Sequence, residues 1–350
     1  GVLFRLTLER PTVFLVGGDT GGYLQKLLSG FQSLGLRAHI FTVPNRVGYG
    51  TSEGPHPLRL LSPLNQILRF GPIRRVVRAS GTLLTTLFIG LVGKRGDLMV
   101  VSSPNLNYRF LLVTAKRRGI FIISVFHGSD IRPTYLNGIG IRELKLEEIQ
   151  AATRRQAETT RAVETLSDAV ISWAMIGHFL ARPYYEMENV GFPNQGPFAT
   201  ATSHFCQISG VLDRPVSPKQ RRPPFKIIHS PSNPLAKGTE EILETVAWLE
   251  KQEISIELEV IQGAPNRVVR DKIRRADLVL DQIYSDSAPS VLAMEGLESG
   301  VPVLMAGWSI AHDSYANRFS PGLTICHPDK LASTLAAMVI SIDRERNSEE

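Results

Sequence analysis

The feature that most constrains the fold is an uninterrupted apolar run at residues 12–16, followed at once by a glycine-rich loop at residues 17–22. A run without polar alternation is typical of a strand that is buried on both faces of a parallel sheet. Residues 23–34 then place apolar side chains at helical spacing, and residues 38–43 form the next apolar run. This order of strand, loop, helix and strand predicts the start of a wound α/β sheet.

The same alternation continues along the chain without a visible sequence repeat. Further strands are predicted at residues 97–102, 120–126, 169–172, 225–229, 256–261, 277–280 and 302–305. Further helices are predicted at residues 108–118, 142–166, 173–181, 239–252, 266–276, 291–299 and 329–342. The expected fold class is therefore α/β, with two Rossmann-like, doubly wound domains that face each other across a cleft.

A break in the alternation separates the two predicted domains. Residues 183–224 contain seven prolines, several glycines and a basic run at 219–222. This composition is typical of a crossing between domains or of a long loop. We expect an amino-terminal domain at 1–190 and a carboxyl-terminal domain at 191–328. A last helix at 329–350 is free to pack back on the amino-terminal domain.

Composition excludes several classes of protein. Of the 350 residues, 43% are hydrophobic and two are cysteines, Cys206 and Cys326. This apolar fraction excludes a mostly disordered chain, and two cysteines are too few for a disulfide framework or a cysteine-rich zinc module, so we expect buried free thiols. No apolar run approaches the roughly 18–20 residues of a membrane-spanning helix. A soluble, cytoplasmic protein is expected.

The formal net charge of +6 is concentrated in one segment. Residues 54–96 contain seven Lys and Arg residues and no acid, and they include the uncharged stretch 83–92. Such a segment can lie on the inner face of an anionic membrane, or it can be a buried helix after a solvated basic loop. A nucleic-acid partner is not expected, because the segment has no interleaved aromatics and the chain has no zinc-finger or RNA-binding motif.

The glycine-rich loop carries the first candidate binding residues, Gly21 and Gly22. Glycines allow the backbone to approach a ligand closely, and the N-terminus of the following helix attracts anions. The spacing fits neither the G-x-G-x-x-G fingerprint nor a Walker A loop. A tight turn without a ligand is the alternative.

A second candidate loop lies at residues 230–239, between a predicted strand and a helix of the second domain. It begins at Ser230 and places Lys237 just before the helix. An ammonium group at this position can neutralise a phosphate. A solvated loop lysine is the alternative.

The third candidate region is the helix that begins near Ser290. The backbone amides of Ser290, Val291 and Leu292 can bind an anion there. Glu295 lies within the same helix, where a carboxylate can accept hydrogen bonds from ribose hydroxyls. A solvent-facing helix acid is the alternative for Glu295.

Taken together, these residues resemble the retaining glycosyltransferases of the GT-B fold, family 4. The resemblance is carried by the glycine loop, by His127 after an inner strand, by Lys237 and Gly238, and by the segment LAMEGLESGVPV at 292–303. It covers residues 12–340, and the last segment is the most specific part. It implies that the amino-terminal domain serves the acceptor and that the carboxyl-terminal domain binds a nucleoside diphosphate sugar.

The resemblance also implies roles for single residues. Glu295 would bind the ribose, Lys237 the diphosphate, and His127 the transferred sugar, which makes these three the candidate catalytic residues. For His127, a loop histidine bonded to Asp130 is the alternative. Two features depart from the family: Ser287 stands where a second Glu usually contacts the donor sugar, and the usual phosphate-binding Arg before the Lys is absent.

The function implied is transfer of a sugar, with retention, to a hydroxyl of a glycan, a lipid-linked acceptor or a small molecule. No separate cofactor is expected. No metal ion is expected either, since the chain has no Asp-x-Asp pair to hold one. Two alternatives stay open: a nucleotide-sugar epimerase of the same fold, and a two-domain protein that binds sugar or nucleotide without turnover.

Overall fold

The computed structural model describes residues 10–18, 22–42, 71–128, 130–136, 144–187, 224–285, 289–308 and 322–348. Contacts divide the chain into two compact units. One is Gly1–Arg132 with Arg154–Pro193, and the other is Pro133–Thr153 with Asn194–Glu350. The predicted boundary between residues 190 and 191 lies outside the described residues and stays a prediction.

The first sheet has six described strands, all parallel, in the order β2-β1-β3-β4-β5-β6. The strands are β1 (Thr12–Gly17), β2 (Arg37–Thr42), β3 (Leu98–Ser102), β4 (Phe121–Phe126), β5 (Ala169–Ser172) and β6 (Tyr185–Glu186). The helices of this part are α1 (Tyr23–Ser33), α2 (Gly71–Val92), α3 (Arg109–Arg117), α4 (Leu146–Leu166) and α5 (Ala174–Gly177). Residues 13–16 of β1 are buried, as expected for an inner parallel strand.

The second sheet has five described strands, again all parallel, in the order β11-β10-β9-β7-β8. The strands are β7 (Phe225–His229), β8 (Ile256–Val260), β9 (Leu278–Leu280), β10 (Val303–Ala306) and β11 (Leu323–Cys326). The helices are α6 (Pro234–Lys237), α7 (Thr239–Lys251), α8 (Asn266–Ile273), α9 (Val291–Glu298) and α10 (Leu331–Ser348). The predicted alternation of strands and helices is confirmed in both units.

Each sheet has one point where the strand order reverses. In the first sheet β1 lies between β2 and β3, and in the second sheet β7 lies between β8 and β9. The loops that follow the two neighbouring strands diverge at such a point and leave a crevice at the carboxyl ends of the strands. The β1/β3 and β7/β9 ends are therefore where ligand-binding residues are expected.

The last helix belongs to the second unit. Its apolar side chains Leu331, Leu335, Met338 and Val339 are buried in the same core as Phe225 of β7. The expectation that the last helix also packs back on the amino-terminal domain stays a prediction.

Other differences concern short elements. The helix predicted at 173–181 is the single turn α5, and neither β6 nor β11 was predicted. Cys326 is a buried free thiol, as expected, and burial raises its pKa to about 11. Cys206 and residues 54–70 of the basic segment lie outside the described residues. Within the described ranges, no helix combines the length and apolar character needed to span a bilayer.

Gly17 provides a test of the packing at the β1/β3 ends. Its φ is +117°, and a Cβ there would lie 2.1 Å from the carbonyl oxygen of Ser102. Gly17→Ala is therefore expected to lower the free energy of unfolding by about 3 kcal/mol or more. Gly30→Ala is the control, because nothing lies within 4 Å of a Cβ at this helical position. It should stabilise by about 0.5–1 kcal/mol. Equal effects in urea titrations would contradict the described packing.

Candidate functional site

The loop after β1 is fastened to the end of β3. The backbone N–H of Gly18 donates to the carbonyl oxygen of Ser102 at 3.2 Å, and the Ser102 hydroxyl donates to the carbonyl oxygen of Gly18 at 2.7 Å. The close approach requires Gly17, whose missing side chain leaves room for the Ser102 carbonyl. These two hydrogen bonds hold the loop after β1 against the end of β3 at this crevice.

His127 follows β4 and contacts Ser102 as well. Its Nε2 lies 2.9 Å from the Ser102 Oγ. Because the single hydroxyl proton of Ser102 goes to Gly18, Nε2–H of His127 is the donor in this contact. Burial lowers the pKa of His127, although the nearby Asp130 opposes the shift. The neutral ring therefore carries its proton on Nε2 and none on Nδ1, which makes Nδ1 a hydrogen-bond acceptor.

Asp130 acts on the backbone of this loop. Its carboxylate accepts hydrogen bonds from the backbone N–H of His127 at 2.9 Å and of Gly128 at 2.7 Å. The alternative stated above, a histidine bonded to Asp130, is thus observed for the backbone N–H of His127. The imidazole ring itself contacts Ser102 and lies edge-on to the ring of Tyr23, with 4.9 Å between centroids.

The described part of the glycine loop ends at α1. Gly22 precedes that helix with φ +76°, and nothing lies within 4 Å of a Cβ built on it. A glycine is therefore favoured there by backbone conformation, and the space beside it is open. Tyr23 is buried, which raises its pKa to about 12. Gly21 lies outside the described residues.

Lys237 is the last residue of α6, at the reversal point of the second sheet. Its Nζ donates to Oε1 of Gln282 and lies 4.0 Å from Oδ1 of Asp281. The side chain is 20% exposed, so the alternative of a solvated loop lysine is wrong. Gly238 follows with φ +72°, and a Cβ there would meet Ile283 at 2.6 Å. The turn that carries Lys237 is thus held against the loop after β9.

Asp281 joins Lys237 to the start of α9. The Ser290 hydroxyl donates to Asp281 Oδ1 at 2.6 Å, and the Ser290 Oγ accepts from the backbone N–H of Leu292 at 3.2 Å. Ser290 is therefore the N-cap of α9, as the predicted helix start required. Asp281 is 2% exposed, and a buried carboxylate needs such partners. Lys237, Asp281 and Ser290 form one cluster, which we call the β7/β9 cluster.

Two of the predicted anion-binding groups already have partners. The Leu292 N–H is bonded to the cap, and the Ser290 N–H lies 3.4 Å from Asp281 Oδ2. Ser230 donates its hydroxyl to the carbonyl oxygen of Ile261 at 3.0 Å. These bonds differ from the contacts expected with a phosphate, because the internal carboxylate of Asp281 occupies the helix N-terminus. Val291, the first residue of α9, lies between these two amides.

Glu295 lies at the contact between α8 and α9. It is 7% exposed, and its Oε1 accepts from Nδ2 of Asn266 at 2.7 Å. A solvent-facing helix acid is therefore the wrong interpretation. Three residues on, Glu298 lies 3.5 Å from Arg270 in an ion pair. The role of Glu295 toward a ribose stays a prediction. Ser287 lies outside the described residues.

His229 was not predicted as a site residue. It ends β7, is fully buried, and lies 2.9 Å from both the Leu280 carbonyl oxygen and the Thr239 Oγ1. The carbonyl can only accept, so Nδ1–H donates to Leu280 and Nε2 accepts from Thr239. Burial lowers the pKa of His229. The neutral ring therefore links β7 to β9.

Sequence reasoning also missed Ser102, Asp281 and Gln282. Asp281 and Gln282 follow an apolar strand, and polar residues at such a position are a usable signal. The contact of Ser102 with His127 joins residues 25 positions apart and has no local sequence signal. Among the described residues, no group of three or more His, Cys, Asp or Glu side chains is placed to hold a metal ion.

Comparison with known proteins gives structural matches only. No protein-family model and no curated protein sequence matches the chain. Sucrose-phosphate synthase from Thermosynechococcus elongatus is similar at 10% identity and TM-score 0.51, over 95% of this chain and 90% of that one. The UDP-GlcNAc 2-epimerase of Methanocaldococcus jannaschii has 10% identity and TM-score 0.46, over 94% and 92%. A glycosyltransferase from Streptomyces nogalater has 12% identity and TM-score 0.38, over 97% and 95%.

The chain has the GT-B fold. The expected fold class, two α/β units with parallel sheets, is thereby confirmed. At this level of identity the likeness concerns the fold alone, so function has to be argued from the residues of this chain.

Three described histidines, His39, His127 and His229, have lowered pKa values, which predicts a pH dependence of stability. Folding lowers the pKa of His127 and His229 below the ordinary 6.5. Below pH 6.5 the unfolded chain therefore binds protons more readily than the folded chain. Above pH 6.5 the free energy of unfolding should be at its highest value. It should decrease as the pH falls from 6.5 toward the folded pKa values, by up to about 1.4 kcal/mol per pH unit for each histidine.

Denaturant titrations between pH 7.5 and 5.5 measure this slope. His127→Asn should reduce it, and His178→Asn should not, because His178 is exposed. A stability that does not change over this interval would contradict the buried, neutral state of the two rings.

Proposed function

We propose that this chain is a glycosyltransferase that moves a sugar, with retention, from a nucleoside diphosphate sugar to an acceptor hydroxyl. The β7/β9 cluster carries the proposal, since a mostly buried ammonium group stands beside a helix N-terminus where the second sheet reverses its strand order. The motif around Glu295, which resembles family 4 of these enzymes, supports the same assignment.

The reaction needs positive charge at the departing diphosphate. In the β7/β9 cluster, Asp281 lies 4.0 Å from Lys237 and 2.6 Å from the Ser290 hydroxyl. Asp281 therefore fixes the spacing between the ammonium group and the first turn of α9. A diphosphate would contact the ammonium group of Lys237 while Lys237 stays close to Asp281, which keeps its hydrogen bond from Ser290. In this proposal Lys237 supplies the charge, and neither a metal ion nor a separate cofactor takes part.

The first unit would bind the reacting sugar or its acceptor. Nδ1 of neutral His127 is an acceptor for a hydroxyl group, and its ring is fixed by Ser102 and Tyr23. We assign His127 a contact with a sugar hydroxyl and no role as general base, because in a same-face reaction the departing phosphate can take the proton. Gly22 directly precedes Tyr23 in the chain, and the open space at Gly22 would let a ligand approach its backbone.

The test is incubation of the whole chain with UDP-, GDP-, ADP- and dTDP-sugars and a panel of glycan, lipid-linked and small-molecule acceptors. Mass spectrometry detects transfer, and NMR of the product reports the anomeric configuration. A transferred sugar of the donor's configuration is the expected result. An epimerised donor without transfer would assign the chain to the epimerase alternative. Binding without either product would make it a non-catalytic binding protein.

Lys237→Met tests the diphosphate assignment. Loss of a charged hydrogen bond should weaken donor binding by about 1.5–3 kcal/mol, as measured by calorimetry with the donor that gives the largest thermal shift. Lys226→Met is the matched control, since Lys226 lies on β7 and its side chain is 51% exposed in a long ion pair. Equal donor affinity in the two variants would remove Lys237 from the site.

Glu295→Gln tests the ribose assignment and keeps the size of the side chain. The amide retains an oxygen for Asn266 but loses the charge, so donor affinity should fall by about 1.5–3 kcal/mol. Glu298→Gln is the control on the same helix, where the carboxylate pairs with Arg270. If Glu295→Gln leaves donor affinity unchanged and lowers only thermal stability, Glu295 serves the α8–α9 contact alone.

A further inference from the structure

Helix α2 presents an apolar stripe to solvent. Leu83, Leu87 and Leu91 recur every four residues and therefore lie on one face of the helix. Leu87 is 54% exposed and Leu91 is 79% exposed. The opposite face is buried through Thr85 and Ile89. Core packing thus accounts for one side of α2 and leaves the leucine side without a described partner.

A second apolar group extends this surface from α3. Phe110 is 82% exposed and lies one turn before Thr114, whose methyl group would lie 3.4 Å from a Cβ at Gly90 of α2. Arg118, directly after α3, donates to the carbonyl oxygen of Leu91 at 3.2 Å. The two helices are therefore in contact, and each carries exposed apolar residues. We call Leu83, Leu87, Leu91 and Phe110 the α2–α3 surface.

The described segment that carries the α2–α3 surface is basic. Residues 80–128 contain six Lys and Arg residues and one acid, Asp97. Lys116 is paired with Asp168 of the neighbouring strand end at 3.0 Å. Asp97 is buried, and its carboxylate accepts from the backbone N–H groups of Thr12 and Lys94. It therefore adds no exposed negative charge. The cations of α3 and of the turn after α2 are exposed: Lys94, Arg95, Arg109, Arg117 and Arg118.

We propose that the α2–α3 surface docks this protein on an anionic lipid bilayer. Aliphatic and aromatic side chains that enter the acyl boundary, together with Lys and Arg at headgroup level, are what an interfacial helix uses. Each cation near an anionic leaflet adds attraction, and apolar burial adds the rest. A contiguous exposed apolar patch on a monomer marks an interaction site, and the one-sided positive charge selects a negatively charged partner.

The basic segment predicted from sequence, residues 54–96, already includes Lys94 and Arg95, and the described surface adds the cations of helix α3. The inference does not depend on the proposed sugar transfer, because it uses no residue of the candidate site. Vesicle binding and donor binding can therefore fail separately.

The test is flotation of the whole chain with two kinds of vesicle, one of phosphatidylcholine alone and one with 30% phosphatidylglycerol. Binding to the second kind only, reduced by salt, is the expected result. Leu87→Gln with Leu91→Gln should weaken it about tenfold or more, since both side chains lose their burial in the lipid. Leu34→Gln is the apolar control, at an equally exposed position outside this surface.

Lys94→Gln, Arg95→Gln and Arg109→Gln together test the charges. Each removed cation should weaken binding about fivefold. Arg267→Gln with Arg275→Gln is the control, because both arginines are exposed on the second unit. A Leu87→Trp variant supplies an independent readout, since its fluorescence should shift to shorter wavelength on anionic vesicles.

Two results would overturn the proposal. One is binding that the leucine and cation variants leave unchanged, or no binding to either kind of vesicle. The other is self-association in light scattering that Leu87→Gln with Leu91→Gln abolishes, because the surface would then be an interface between copies of this chain.

Discussion

The Asp281 carboxylate follows strand β9 and is almost completely removed from solvent. A charge in that position is costly unless donors surround it. Here the Ser290 hydroxyl donates to it and the Lys237 ammonium lies 4.0 Å away. Two loops that leave neighbouring parallel strands are thereby fixed to each other. Asp281 therefore links the start of α9 to Lys237, which Gln282 also holds.

The parallel strand order explains why these residues meet. Every described strand of a sheet points the same way, so each following loop emerges at one edge. At the β7/β9 reversal the two loops diverge, and His229 bridges the strands beneath them. The first sheet repeats the arrangement at β1 and β3, where Ser102 links the glycine loop to His127. In both units, polar groups therefore meet where the strand order reverses.

Much of this could be predicted from the sequence, because inner parallel strands are continuous apolar runs. The run FKIIH predicts β7 with its observed ends, and the helix predicted to begin near Ser290 is α9. The edge strands β6 and β11 were not predicted, and β6 has only two residues, too few for a pattern.

The residues of the candidate site were likewise only partly predictable from the sequence. Lys237 and His127 were found because each follows a recognisable strand, whereas Ser102 and Asp281 act through partners distant in sequence. The motif around Glu295 suggested a ligand, and in the structure its carboxylate accepts a hydrogen bond from Asn266 on α8. Local patterns predict where polar groups leave a sheet, and tertiary contacts decide what they touch.

The central claim is that the β7/β9 cluster binds a diphosphate. Hydrogen exchange read by mass spectrometry tests it most directly, on the whole chain with and without a mixture of UDP, GDP, ADP and dTDP. The account predicts slower exchange of the amides at residues 231–241 and 283–297, with α10 unchanged as an internal reference. Unchanged exchange in both loops, or protection confined to other parts of the chain, would contradict it.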